Sequence, residues 1–144
     1  MKLSYTIYQS TALLPPLPVE HNRILAACKK HNSKNKVTGF LHREGDFFLQ
    51  YLEGPLLAVE DTMQRIGKDS RHKDVEILDT GPLDHRRFPD WQMGFVDGNQ
   101  LSLHSLLGAE PRKLNLKAED PFDIVIFMAA NADSLRQDLG NSGA

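Results

Sequence analysis

The segment FFLQYLEGP, residues 47–55, constrains the fold more strongly than any other part of this sequence. In an extended strand its odd-numbered apolar side chains point to one face of the sheet, while Phe48 and Leu52 point to the opposite face. A strand with apolar side chains on both faces is buried by a further layer of structure on each side. The rest of the chain must therefore supply two covering layers for one sheet.

The surrounding sequence predicts the elements of such a sheet. The predicted strands are residues 2–10, 37–43, 46–53, 75–83 and 92–96, and the predicted helices begin near residue 19 and span roughly residues 57–68. The order βαββαβ with one additional strand is typical of a ferredoxin-like α+β fold. The sequence thus predicts a mixed four- to five-stranded sheet with two helices on one face.

The last third of the chain predicts the layer on the other face. Asp120 suits the N-cap of a helix, Pro121 suits its first position, and residues 124–128 provide a broad apolar stripe. We therefore expect residues 1–97 to form the core and residues 98–144 to form a C-terminal helical cap of the same domain.

Composition and length exclude several classes of protein. With 144 residues, of which 40% are hydrophobic, the chain has the size of one domain with a substantial core. A net charge of −2 provides no broad basic surface for nucleic acid, and no apolar run approaches the roughly 18 residues of a membrane span. The N-terminus does not resemble a signal peptide, and the single cysteine, Cys28, excludes an intrachain disulfide. We expect a cytoplasmic protein that binds neither nucleic acid nor membranes.

The histidines do not indicate a metal site. All six are scattered along the chain, and no carboxylate or thiol lies at the spacing typical of metal ligands. We therefore expect no bound metal.

Gln50 is a polar side chain in the middle of the apolar central strand. Burying an amide without partners costs about 1–3 kcal/mol, so hydrogen-bond partners are expected. Tyr8 and Ser10 share one face of the first strand, and His31 and Asn32 end the apolar stripe of the first helix. These polar groups can converge with Gln50 above an apolar floor. A few convergent polar groups in an apolar pocket are typical of small-molecule binding sites.

Five motifs occur together along residues 3–97. They are Tyr8-Gln9-Ser10, HNSKNKVTGFL at residues 31–41, FFLQYLEGP at 47–55, RIGKDSRH at 65–72 and RRFPDWQMGF at 86–95. No single motif is specific, because an isolated LEGP or HN is common. The ordered set, at these spacings, resembles the BLUF domain, the sensor of blue light using FAD.

The resemblance implies a flavin site between the two helices that flank the sheet, occupied by FAD, with FMN and riboflavin as alternatives. The matched binding positions are Ile24 and Ile66 on either side of the ring, Asn32 and its neighbour His31 at the polar edge, and Arg65 and Asp69 near the ribityl and phosphate end.

The resemblance also implies that Tyr8 and Gln50 are the photoactive pair. A phenol is readily oxidised, and its proton can leave through a hydrogen-bonded relay. The Gln50 amide carries both a donor and an acceptor, so rotation or tautomerisation would reverse what it offers to its neighbours. Ser10, Trp91 and Met93 match signalling positions, and the predicted fifth strand leads from the last two into the C-terminal segment. Which of Trp91 and Met93 packs against Gln50 is left open.

Each of these residues also has a purely structural interpretation. Gln50 could be an amide bonded to backbone, Asn32 could end a helix in the left-handed conformation, Arg65 and Asp69 could form an i,i+4 surface ion pair, and Trp91 and Met93 could be core residues.

Three classes of function follow from these observations. The leading prediction is a stand-alone photoreceptor, not an enzyme, that forms a homo-oligomer and signals to a downstream protein. The second is an acylphosphatase-type hydrolase, which needs a phosphate-binding loop near the first strand, whereas TALLPPLP at residues 11–18 contains no glycine. The third is a flavin-dependent redox enzyme, which needs an open substrate face and a reductant site.

Overall fold

The structure is a computed structural model. It describes residues 2–13, 19–20, 22–24, 26–27, 30, 36–88, 94–97 and 123–125. The strands are β1 (Leu3–Ala12), β2 (Thr38–Glu44), β3 (Phe47–Pro55), β4 (His72–Leu83) and β5 (Gly94–Asp97). The described residues between 19 and 30 are helical and are called α1; the next helix, α2, is Leu56–Gly67.

The five strands form one sheet in the order β4-β1-β3-β2-β5. The pairs β1–β3, β1–β4 and β2–β3 are antiparallel, whereas β2 and β5 are parallel, so the sheet is mixed. The predicted ferredoxin-like α+β fold is therefore confirmed, with β3 at the centre of the sheet.

A tight turn joins β2 to β3, as the Glu44-Gly45 sequence predicts. Gly45 has a φ of 56°, in the left-handed region that glycine adopts without a steric penalty. The Arg43 Nε donates a hydrogen bond of 3.1 Å to the Gly45 carbonyl oxygen. The turn therefore fixes the register in which Leu41 lies opposite Gln50.

Both faces of β3 are buried, as predicted from the alternation of its side chains. The helix-side cluster consists of Tyr8, Ile24, Val37, Leu41, Phe48, Leu52 and Val59. The cap-side cluster consists of Ile7, Phe40, Leu49, Tyr51, Phe88 and Ile124. Because Ile24 belongs to α1 and Val59 to α2, both helices cover the same face of the sheet.

The cap-side cluster receives part of its cover from the C-terminal region. Residues 123–125 are helical, Ile124 is fully buried, and Val125 packs against the same cluster. The other residues of the predicted cap lie outside the described residues. The division into a core and a cap at residue 97 stays a prediction.

The connection between α2 and β4 differs from the prediction. The helix ends at Gly67, so Asp69 lies beyond it rather than one helical turn after Arg65, and the backbone N–H of Asp69 donates to the Ile66 carbonyl. Strand β4 begins at His72, three residues earlier than predicted, because it pairs with a β1 that extends to Ala12. The charged residues at the start of β4 hide its strand pattern in the sequence.

In the described parts of the chain, every helix is too short or too polar to cross a membrane.

Candidate functional site

A cavity lies on the helix side of the sheet, with about 400 Å³ of empty space that includes open solvent at its mouth. Strands β1, β2 and β3, the first residue of β4, both helices and the α2–β4 connection line it. The lining residues are Tyr8, Ile24, Leu41, Phe48, Gln50, Ile66, Asp69, Arg71 and His72.

Tyr8 and Gln50 form the polar floor of the cavity. They lie directly opposite each other in the antiparallel β1–β3 register, where side chains on the same face approach closely. The Tyr8 hydroxyl donates a hydrogen bond to Gln50 Oε1, and each residue is only 3% exposed. The carbonyl end of the amide therefore faces Tyr8, and its NH₂ end points away from the hydroxyl. The predicted convergence of these two side chains is confirmed.

Part of the cavity wall is apolar. Ile24 of α1 is buried, and Ile66 of α2 is partly buried against the helix-side cluster. Leu41 and Phe48 add apolar surface from the sheet. A slot with aliphatic walls and one polar floor suits a flat aromatic heterocycle with hydrogen-bonding groups along one edge. The residues present therefore fit a flavin ring.

An ion pair between Asp69 and Arg71 lies at the wall of the cavity. Arg71 Nε donates to Asp69 Oδ1 at 3.0 Å, and a terminal guanidinium nitrogen donates to Oδ2 at 2.7 Å, so the contact is bidentate. The Arg71 backbone N–H also donates to Oδ1 at 2.9 Å. These hydrogen bonds lower the pKa of Asp69, whereas its partial burial acts in the opposite direction. Asp69 thus holds a cationic group in a fixed orientation at the cavity.

Arg65 and Asp69 are predicted to lie near the ribityl and phosphate end of the flavin, with an ion pair between them as the structural alternative, and in the structure Asp69 pairs with Arg71. The Arg65 side chain is exposed, and among the described residues it does not line the cavity. The cause is the end of α2 at Gly67, which carries Asp69 off the helix. The signal available in the sequence is Asp69-Ser70-Arg71, in which an arginine follows the acid by two residues.

His72 is a second residue that the sequence did not single out for the site. Its Nδ1 lies 2.8 Å from Ser10 Oγ, and its Nε2 lies 2.6 Å from the Ile66 carbonyl oxygen. Its ring meets those of Tyr8 and Phe48 edge-on, with centroid separations of 6.3 and 6.5 Å. Ser10, predicted as a signalling residue, is buried and bonded to this imidazole.

The remaining predicted site residues, His31, Asn32, Trp91 and Met93, lie outside the described residues, and their roles stay predictions. Across the described ranges, no group of three or more histidine, cysteine or acidic side chains could hold a metal ion.

Similar proteins have been found both by sequence and by structure. The chain is 33% identical over 92 residues to photoactivated adenylate cyclase subunit beta of Euglena gracilis, a match that covers 63% of this chain and 11% of the relative. It is 30% identical over 101 residues to the subunit beta-like protein FB of the same organism, covering 69% and 12%. The chain thus spans about a ninth of the length of these curated relatives.

Two solved structures are similar over nearly their whole length. The dark-state structure of BlrB, a BLUF protein, has 28% sequence identity and a TM-score of 0.75, covering 92% of this chain and 97% of that one. The photo-activated state of BlsA has 25% identity and a TM-score of 0.74, covering 90% and 94%.

The family model described as "Sensors of blue-light using FAD" matches residues 3–94, well over half of the chain. This range contains strands β1 to β4, both helices and every described residue that lines the cavity. The chain therefore belongs to the BLUF family, the sensors of blue light using FAD.

Proposed function

We propose that this BLUF protein binds the ring of FAD in the cavity between α1 and α2, and that Tyr8 and Gln50 carry out its photochemistry. The observation that carries the proposal is the buried Tyr8–Gln50 hydrogen bond on the floor of an apolar slot. The family description, which names FAD, supports the choice of this flavin.

The residues of the cavity divide into walls, floor and rim. Ile24 and Ile66 cover the two faces of the ring, and Asn32 bonds its polar edge, as the family resemblance implies. Arg71 takes the role near the ribityl and phosphate end that the resemblance implies for Arg65, because the Asp69 carboxylate orients its guanidinium at the cavity. A cation at this place favours carbonyl or phosphate oxygens of the cofactor.

FAD, when bound, supplies a group that absorbs blue light and becomes a strong oxidant on excitation. With FAD bound, Tyr8 would be the nearby electron donor, and the proton of its hydroxyl would pass along the existing hydrogen bond to Gln50 Oε1. The electron and a proton would then return to Tyr8, so that the phenol is restored and the flavin ends oxidised. The amide rotates or tautomerises, so that Gln50 presents a different hydrogen-bonding group to Tyr8. A glutamine can make this change within a packed site because its volume stays nearly the same.

The sheet offers a route by which this change can leave the cavity. Gln50 lies opposite Leu41 in the β2–β3 register, and Leu41 lies opposite Phe95 in the β2–β5 register. Strand β5 leads toward residues 98–144, of which Ile124 packs against the cap-side cluster. We infer that β5 and the C-terminal segment carry the signal to a partner protein or to a homo-oligomer interface, provided that the two states differ by only a few kcal/mol.

The same observations favour a sensor over an enzyme. The photoactive pair is buried, so its hydrogen bond is not presented to a substrate from solvent. The adenylate cyclase subunits match this chain over only 11% to 12% of their length. Their cyclase activity is therefore not attributed to this chain.

An absorption experiment tests the proposal. Purified protein should be yellow, and brief blue light should move its absorption to longer wavelength, with reversal in darkness. Gln50→Leu and Tyr8→Phe should keep the colour and lose the shift. Gln9→Leu is the matched control, because Gln9 lies on the adjacent position of β1 and bonds Glu76 at 2.7 Å; it should keep both.

Three outcomes would contradict the proposal. A full shift in Gln50→Leu would remove the pair from the mechanism. A colourless protein that hydrolyses acyl phosphates would indicate the hydrolase class. Bleaching with turnover of an added reductant would indicate a flavin-dependent redox enzyme.

A further inference from the structure

His72 links three elements of the cavity through one imidazole ring. It is the first residue of β4, its Nδ1 contacts Ser10 Oγ of β1 at 2.8 Å, and its Nε2 contacts the Ile66 carbonyl of α2 at 2.6 Å. Both ring nitrogens are therefore engaged. The ring is partly buried and lines the cavity itself.

The partners of the ring determine its protonation. A carbonyl oxygen only accepts hydrogen bonds, so Nε2 carries the proton and donates it to Ile66. In the neutral ring, Nδ1 is then an acceptor, and the Ser10 hydroxyl donates to it.

Both ends of this link are next to parts of the light-sensing site. Ile66 is a wall of the cavity, at the last turn of α2. Ser10 is two residues from Tyr8 on the same face of β1, and it lies opposite Phe48, just as Tyr8 lies opposite Gln50. The Ser10–His72–Ile66 link therefore fixes the distance between the α2 wall and the strand that carries Tyr8.

We propose that His72 is a positioning residue of the light cycle, and that its two hydrogen bonds set how long the switched arrangement of Tyr8 and Gln50 persists in darkness. This inference rests on the proposed function. Return to the dark arrangement requires Gln50 to reorganise within the packed floor of the cavity, and a wall held closely against that floor leaves less room for it. A loosened α2 wall therefore shortens the lifetime of the lit state.

The test is the rate of dark recovery after a blue-light pulse, measured on the FAD-loaded protein. His72→Leu removes both hydrogen bonds and should accelerate recovery by roughly threefold or more, measured on the fraction of the protein that retains FAD. His72→Gln can still donate to Ile66 and accept from Ser10, and it should recover at close to the parent rate. His85→Leu, at an exposed position, is the matched control and should behave as the parent.

Two results would overturn the inference. Recovery of His72→Leu at the parent rate would show that the link does not set the lifetime. Recovery of His72→Gln as fast as that of His72→Leu would show that the two hydrogen bonds do not set the lifetime. If the parent showed no shift at all, the proposed function would fail instead, so the two failures are distinguishable.

Discussion

The fully buried carboxylate of Glu53 accepts hydrogen bonds from the backbone N–H of Phe88, with both of its oxygens 3.2 Å from that nitrogen. The neighbouring N–H of Arg87 donates to the same carboxylate at 2.9 Å. Phe88 packs edge-on against Phe40 and Tyr51, with centroid separations of 4.8 and 5.3 Å. One carboxylate on β3 therefore anchors the segment that leads to residues 91–93, on the face of the sheet opposite the cavity.

Replacement of Glu53 by leucine should destabilise the fold. Glu53→Leu leaves two loop N–H donors without their acceptor, and each such loss costs about 1–3 kcal/mol when the group stays buried. We expect the free energy of unfolding to fall by roughly 2–4 kcal/mol in urea denaturation. Glu53→Gln retains one acceptor oxygen and should lose about half as much.

Glu60→Gln on the exposed side of α2 is the control for this comparison and should change the free energy of unfolding by less than about 0.5 kcal/mol. A Glu53→Leu protein as stable as the parent would mean that the Arg87 and Phe88 N–H groups find other acceptors.

Gly39 of β2 should tolerate no side chain. Its φ is 150°, and a Cβ placed there would lie 1.9 Å from the Tyr51 carbonyl oxygen on β3. Gly39→Ala therefore forces the two central strands apart and should lower the free energy of unfolding by about 3 kcal/mol or more. Gly67→Ala is the matched control, since no atom lies within 4 Å of its added Cβ. Equal unfolding midpoints for the two variants would contradict the close β2–β3 approach.

The parts of the structure that the sequence predicts are those with a regular period. Side chains of β3 alternate between two apolar faces, which predicts two covering layers and places Gln50 on the face of Phe48 and Leu52. Tyr8 then meets Gln50 because both lie on one face of adjacent strands.

Arg71 and His72 could not be predicted in the same way. They lie at the connection between α2 and β4, where neither the helical nor the strand period applies. Their contacts depend on where α2 ends and on how far β1 extends, and those boundaries are set by tertiary pairing with β4. Helical periodicity predicts that Asp69 lies on α2. In the structure α2 ends at Gly67, and Asp69, which lies beyond this end, contacts Arg71.

Replacement of Asp69 by asparagine should weaken flavin binding. Asp69→Asn loses the carboxylate that holds Arg71 in a bidentate contact, so the guanidinium is no longer fixed at the cavity. We expect the dissociation constant for FAD to rise by about fivefold to tenfold, which corresponds to about 1–1.4 kcal/mol. Fluorescence titration of the apoprotein measures it, with Asp61→Asn on the exposed side of α2 as the control. Unchanged affinity in Asp69→Asn would remove the ion pair from the flavin site.

The same variant should alter the acid sensitivity of the fold. The pKa of Asp69 is lowered from its ordinary 3.8 by the Arg71 hydrogen bonds. At pH values above the pKa of Asp69 in the unfolded chain, the pair therefore stabilises the folded state. This contribution is lost as the pH falls through the lowered pKa of Asp69 in the folded state. Because both side chains are partly exposed, the contribution is below about 1 kcal/mol. Between about pH 6 and about pH 3, Asp69→Asn should lose slightly less stability than the parent, and a larger loss would contradict this sign.

Trp91→Ala should separate the photochemistry from its output. We assign the light-induced absorption shift to the Tyr8–Gln50 pair, so it should stay largely intact. Trp91 precedes β5, whose Phe95 lies opposite Leu41 and, through it, next to Gln50 in the sheet. Loss of the indole should therefore reduce the light-dependent change in hydrogen exchange of residues 98–144 to roughly half or less. Leu57→Ala, at an exposed position on α2, should leave that change intact. Equal responses in Trp91→Ala and the parent would exclude this route for the signal.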